Sequence, residues 1–149
     1  MRIFEVMNNT VHIVAPPDSA ENAWQLMQAK GIRHLVVKDG STVVGVLSDS
    51  DAGGRGGSAI RAGTTVGELM DRHVVSVTRE DTLRRAANLM AGHLIGCLPV
   101  IEDGRLVGVV TVVDILKVVG RGIDRPGRDS GPDTHHRVPH RKATVATGR

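Results

Sequence analysis

The chain has 149 residues, 40% of them hydrophobic, and its aromatic side chains are Phe4 and Trp24. That length suits one domain, or two small units sharing a core, and a 23% charged fraction beside abundant Val, Leu and Ile excludes a wholly disordered chain. The formal charge of +3 suggests a nucleic-acid partner, but residues 1–120 carry 12 Lys/Arg against 13 Asp/Glu, whereas 121–149 carry seven Lys/Arg against three Asp. The basicity therefore belongs to the tail. Cys97, the lone cysteine, cannot form an intrachain disulfide, which favours a reducing compartment. MRIFEVMNNT lacks the apolar core of a secretory signal, and the apolar run over 107–119 is broken by Asp114 and Lys117. The expectation is a soluble, cytoplasmic protein without a membrane segment.

Sliding the sequence against itself at an offset of 63 aligns residues 5–52 with 68–115 without a gap, with 15 identities in 48 positions. Among the pairs are Met7/Met70, Asp18/Asp81, Met27/Met90, Gly45/Gly108 and Asp51/Asp114. Such self-similarity marks a duplicated structural unit. In chain order, each copy opens with a β-branched run, Val11–Val14 or Val74–Val77, followed by a helix-capping signal at Asp18-Ser19 or Asp81-Thr82. The next segment spaces Ala23, Leu26 and Met27, or Leu83, Ala86, Ala87 and Met90, along one helical face. Two strands follow, Leu35–Val37 with Val43–Leu47, and Leu98–Ile101 with Leu106–Val110. They are joined at the hairpin signals Asp39-Gly40 and Asp103-Gly104. A final helix can begin at Ser48 or Thr111. The expected fold is α/β: two β-α-β-β-α repeats packed with pseudo-twofold symmetry, each too thin to bury a core alone. The expected division is 1–58 for the first repeat with its linker, 59–120 for the second, and 121–149 for a basic, disordered tail.

Between the repeats lies Asp51-Ala-Gly-Gly-Arg-Gly-Gly-Ser58. Its glycines predict a short last helix in the first repeat and a flexible linker. A phosphate-cradling loop, with Arg55 reaching a ligand, is the weaker alternative because no G-K-[ST] ending follows. The four recurrent methionines, Met7, Met27, Met70 and Met90, are read as core. So is Cys97, which has no visible catalytic companion. The tail triplet His135, His136 and His140 is a weak chelation signal. Otherwise neither a metal-ligand cluster nor a catalytic group is legible.

The recurrent polar element is Gly45-Val-Leu-Ser48-Asp-Ser-Asp51, repeated as Gly108-Val-Val-Thr111-Val-Val-Asp114. A hydroxyl residue three positions before a carboxylate at a helix start is a capping-box variant, in which both side chains satisfy backbone N–H groups. The same geometry serves binding: a helix N-terminus attracts phosphate, the hydroxyl donates to it, and the carboxylate accepts from ribose hydroxyls. The residues alone leave both readings open.

Together with Val6-Met7, Leu69-Met70 and Cys97-Leu-Pro-Val100, this repeated motif resembles a tandem pair of CBS domains over about residues 5–118. The resemblance implies a stand-alone regulatory module, not an enzyme, that binds AMP, ADP, ATP or S-adenosylmethionine between the copies and requires no cofactor. It places ribose hydroxyls on Asp51 and Asp114 and phosphate near Ser48 and Thr111. Adenine falls between Val11, Ile13, His34, Leu35 and Val36, or between Val74, Ser76, Cys97, Leu98 and Pro99. It further implies a homodimer formed through helical faces and a separate regulated protein. Val36 against Pro99, and the acidic Asp49 beside Asp51, make the two sites unequal. Arg33 and His34 sit where a basic side chain can reach a phosphate, though surface or packing roles are the stronger reading. The competing readings are a structural dimerisation module without ligand and weak nucleic-acid binding through the tail, which has no aromatic residue to stack on bases.

Overall fold

The computed structural model describes residues 1–122; the expectations for the tail beyond, including its disorder, its histidine triplet and its nucleic-acid contacts, lie outside the described residues. In the first repeat, β1 (Ile13–Val14) runs parallel to β2 (His34–Asp39), which pairs antiparallel with β3 (Thr42–Ser48). Helix α1 (Ala20–Lys30) joins β1 to β2. Its start is fixed by Ser19 Oγ, which accepts the Asn22 N–H at 3.1 Å, and its end by Gly31 at φ 66°. Ala20, Ala23 and Met27 form its buried face, as the helical spacing requires. The short helices α2 (Ser58–Arg61) and α3 (Val66–Leu69) lead into the second repeat.

The second repeat has α4 (Leu83–His93), the hairpin β4 (Cys97–Glu102) and β5 (Arg105–Thr111), and α5 (Val112–Gly120). Thr82 caps α4 by accepting the Arg85 N–H at 3.1 Å. Asp103 and Gly104 both adopt positive φ, as a two-residue hairpin with the right twist requires. The expected strand over 74–77 is reduced to a single parallel bridge between Val77 and Val100. Position 99 supplies the reason. In the first repeat the Val36 N–H donates to the His12 carbonyl at 3.2 Å, whereas Pro99 occupies the matching place and has no N–H to offer.

Each repeat has its own small aliphatic core. One gathers Val14, Ala23, Met27, Leu35, Val37 and Leu47; the other gathers Val77, Leu83, Ala86, Met90, Leu98, Val100 and Val110. The recurrent methionines are core, as expected: Met27, Met70 and Met90 are buried and Met7 packs against the second cluster. The cores are completed crosswise. Ile3, in the 3-10 turn Ile3–Glu5 ahead of the first repeat, is fully buried in the second core, while Val66, ahead of the second repeat, is fully buried in the first. Main-chain bonds tie each lead-in to its host: the Ile3 N–H donates to the Asp81 carbonyl, and the Val66 N–H to the Asp18 carbonyl, both at 2.9 Å. Asn8 pairs with Val109, and Asp71 with Val46. This close approach explains the recurrent glycine. A Cβ at Gly45 would lie 2.7 Å from the Asp71 carbonyl oxygen, and one at Gly108 would lie 3.0 Å from that of Asn8.

Candidate functional site

The site is built from the ends of the two hairpins. His34 opens β2 directly opposite Ser48, the last residue of β3, and Cys97 opens β4 opposite Thr111. Beyond Ser48 the chain closes a reciprocal box: the Ser48 N–H donates to Asp51 Oδ2 at 3.0 Å and the Asp51 N–H donates to Ser48 Oγ at 2.9 Å. The second repeat repeats it, with the Thr111 N–H donating to Asp114 Oδ2 at 2.8 Å. The capping reading is thus realised, and it leaves room for the binding one. The box holds each carboxylate through Oδ2, and among the described residues Oδ1 of Asp51 and of Asp114 accepts no protein hydrogen bond.

The two boxes differ in their hydroxyls. Thr111 Oγ1 also donates to Asp114 Oδ2 at 3.1 Å, which uses its proton internally. Ser48 Oγ only accepts, so its proton remains available to a ligand.

The repeats enclose a cleft of about 260 Å³. His34, Val46, Ser48, Ser50 and Asp51 form one wall, and Asp71, His73, Val75 and the segment 94–97 form the other. A neighbouring hollow of about 490 Å³ shares His34, Ser48 and Ser50, and extends past Arg33 and Asp49 to Gly53 and Gly54. Of the residues expected at a site, His34, Ser48, Asp51 and Cys97 therefore meet in this cleft. Val11, Ile13, Val74, Ser76, Thr111 and Asp114 do not line it, and Leu35, Val36, Leu98 and Pro99 are buried strand residues that do not line it either. Asp71, His73 and Leu94 were not legible in the sequence. Their signal lay in the repeat offset, because Asp71 and His73 match Asn8 and Thr10 in the other crossed lead-in.

Burial sets the protonation of the hairpin-start residues. Loss of solvent lowers the His34 pKa from its ordinary value, against the pull of Asp51 and Asp49, so the imidazole is held neutral. Its ring packs on Gly96, where an added Cβ would lie 3.4 Å from Cε1 and Nε2. Burial also pushes the Cys97 thiol up to about 12, with Asp114 adding to the shift, which keeps it protonated and unreactive.

The glycine-rich segment, expected as a flexible linker, is a chain of hydrogen-bonded turns organised by Arg61. This side chain is 2% exposed; Nη1 donates to the carbonyls of Ala52 and Gly54 at 2.8 and 2.6 Å, and Nε to Glu21 at 2.8 Å. Its guanidinium lies 3.9 Å from the Trp24 ring centroid, and Trp24 Nε1 donates to Asp49 at 3.0 Å. Several of the loop amides are already engaged within the loop. Those of Ala52, Gly53, Gly54 and Gly57 donate to the carbonyls of Ser48, Ser50, Asp49 and Gly54. No helix of the described residues is long and apolar enough to cross a membrane, and none of their His, Cys, Asp and Glu side chains group as a metal site.

Comparison with known proteins agrees with this architecture. A family model for the CBS domain matches residues 3–52 and 66–121. The CBS domain-containing protein YhcV of Bacillus subtilis is 31% identical over 112 residues, 74% of this chain and 80% of that protein. The homoserine O-acetyltransferase of Methanosphaerula palustris is 28% identical over 79% of this chain, but the chain spans only 24% of its length. Among solved structures, CBSX2 in complex with AMP is 28% identical with a TM-score of 0.68, covering 80% of this chain and 96% of that one. A CBS domain pair in complex with 5′-methylthioadenosine and S-adenosyl-L-methionine reaches a TM-score of 0.74 at 23% identity, over 81% of this chain and 97% of that one, a likeness of fold. The crossed α/β repeats, the twin boxes and these matches together place the chain in the CBS domain family.

Proposed function

We propose that this protein is a regulatory module that binds an adenosyl ligand, of the AMP or S-adenosylmethionine type, in the cleft between its repeats and passes the ligand state to a separate protein. The observation that carries this reading is the Asp51 carboxylate. Its Oδ2 is fixed by the Ser48 N–H, its Oδ1 accepts no hydrogen bond from the described residues, and it stands in a cleft beside a hydroxyl with a proton to donate. Such a carboxylate is preorganised to accept from a vicinal diol, as in ribose. The volume lies near the lower end of small-molecule sites, of nucleoside scale. AMP in a 28% identical neighbour of the same fold supports the ligand class.

The cleft walls come from both repeats, so a ligand there biases the arrangement of the pair by its difference in affinity between arrangements. This role needs no catalytic group and no cofactor. Thermal melting of wild type, Asp51→Ala and Asp114→Ala with AMP, ADP, ATP and S-adenosylmethionine tests it. A ligand-dependent rise in wild type that Asp51→Ala abolishes is expected. No rise with any of them overturns the reading.

A second copy of the chain is the proposed partner in assembly. Val113, Leu116 and Val119 of α5 are 52%, 60% and 54% exposed and follow one another at three-residue spacing along the helix. An apolar stripe of that kind is covered by association. Sedimentation of wild type beside Leu116→Lys measures it, with a shift from dimer to monomer expected.

A further inference from the structure

We infer that this cleft selects its ligand by charge, taking a nucleoside that is neutral or cationic at its 5′ end and rejecting nucleoside di- and triphosphates. The inference rests on the adenosyl reading above and names the ligand class within it. Three carboxylates, Asp49, Asp51 and Asp71, line the cleft and its neighbouring hollow, against the guanidinium of Arg33. His34 and His73 add imidazoles, of which His34 is held neutral by burial. Carboxylates against guanidinium, the lining has a formal excess of two negative charges.

Among the described residues, backbone compensation for phosphate is sparse at this end of the first repeat. After the box the chain enters turns rather than a helix, so the first repeat contributes no long-helix N-terminus here. The amides of Gly53, Gly54 and Gly57 close on neighbouring carbonyls and the Asp51 N–H is taken by Ser48 Oγ, which leaves the Ser50 N–H, rather than a nest of glycine amides, as the backbone donor in the lining. Arg61 lines neither the cleft nor the hollow, and its guanidinium is engaged by Glu21 and by the carbonyls of Ala52 and Gly54. Val46, Val75, Leu94 and Ile95 supply the remaining, apolar lining, which suits an uncharged substituent.

Isothermal titration of the full chain, in chelator and at constant ionic strength, with adenosine, S-adenosylmethionine, AMP, ADP and ATP provides the test. Affinity is expected to fall along the phosphate series, with ATP about a hundredfold weaker than adenosine. S-adenosylmethionine, with its sulfonium, is expected to bind at least as well as adenosine. Asp71→Asn keeps the oxygen that accepts the His73 N–H at 2.9 Å and is expected to narrow the adenosine–ATP gap several-fold, as is added salt. ATP heat that adenosine does not displace arises outside the cleft and agrees with exclusion. ATP displaced by adenosine, yet binding as tightly or more tightly, overturns the charge inference while leaving the adenosyl reading intact. No binding by any of the five overturns both.

Discussion

The two repeats run in parallel as far as their boxes and then diverge, and the divergence separates what the box does for folding from what it leaves for a ligand. After Thr111-x-x-Asp114 the chain continues as α5, whose first turn the box caps. After Ser48-x-x-Asp51 the same reciprocal bonds form without a continuing helix, and the chain passes through glycine turns held by Arg61. A box conserved in geometry where no long helix needs capping has its carboxylate to spare. The first-repeat end thus keeps its hydroxyl proton unspent, whereas Thr111 spends its own on Asp114.

The largest effect is expected at the support of that divergent segment. Arg61→Ala leaves the Ala52 and Gly54 carbonyls without their donor, Glu21 without its ion pair and one face of Trp24 uncovered. A cost of about 3 kcal/mol is expected in urea unfolding, with Trp24 emission reporting the loosened loop. A loss below about 0.5 kcal/mol, the range of ordinary surface changes, would show that the turns hold themselves.

Next in size, the crossed lead-ins can be compared by adding one methyl group to each repeat. Gly45→Ala drives a Cβ against the Asp71 backbone and Gly108→Ala against that of Asn8, with the tighter approach at Gly45. About 2 kcal/mol is expected for Gly45→Ala and somewhat less for Gly108→Ala, read as paired shifts in the unfolding midpoint. The reverse order would contradict the geometry.

A smaller effect, of opposite sign, is expected where helices α1 and α4 end. Gly31 closes α1 at φ 66°, whereas Leu94 closes α4 at φ 55° and is 91% exposed. A leucine there bears left-handed strain and buries little. Leu94→Gly is expected to raise stability by about 1 kcal/mol, visible as a higher midpoint. A loss instead would show that Leu94 has packing the exposed rim does not reveal.

The smallest expected effect compares the hairpin-start residues His34 and Cys97 by pH. The folded His34 pKa lies below its ordinary value of 6.5, so the unfolded chain binds the extra proton first. Stability is full above that value and declines as pH falls below it toward the folded pKa. His34→Gln should flatten that decline in a pH series of melts. Cys97, held protonated up to about 12, should contribute no slope near neutrality.

Much of the fold could be read directly because its determinants are local or periodic. The offset of 63 exposed the duplication, Ser19 and Thr82 marked the helix starts, and Asp103-Gly104 marked a hairpin. The crossed lead-ins were not readable, since nothing near Ile3 or Val66 in sequence states which core each will enter. Arg61 was equally silent, because a lone arginine after glycines looks solvated until Glu21 and Trp24, 40 and 37 positions away, are folded against it. The shortened first strand of the second repeat could have been seen at Pro99, which stands where Val36 must donate. At the site, the box residues, His34 and Cys97 were found and the rest of the opposing wall was not, for the same reason: Asp71 and His73 reach the cleft through the crossing.

The most direct measurement is the affinity of adenosine, which carries the ribose diol without a phosphate, for Asp51→Asn beside wild type by isothermal titration. Asparagine can still accept from the Ser48 N–H through its oxygen, so the turn survives, but its other arm is an NH₂ donor and can no longer accept from a ribose hydroxyl. Binding at least tenfold weaker, with an unchanged unfolding midpoint, is the expected result, about 1.4 kcal/mol or more. Equal affinity in the two proteins would place the ligand away from Asp51 and contradict the account.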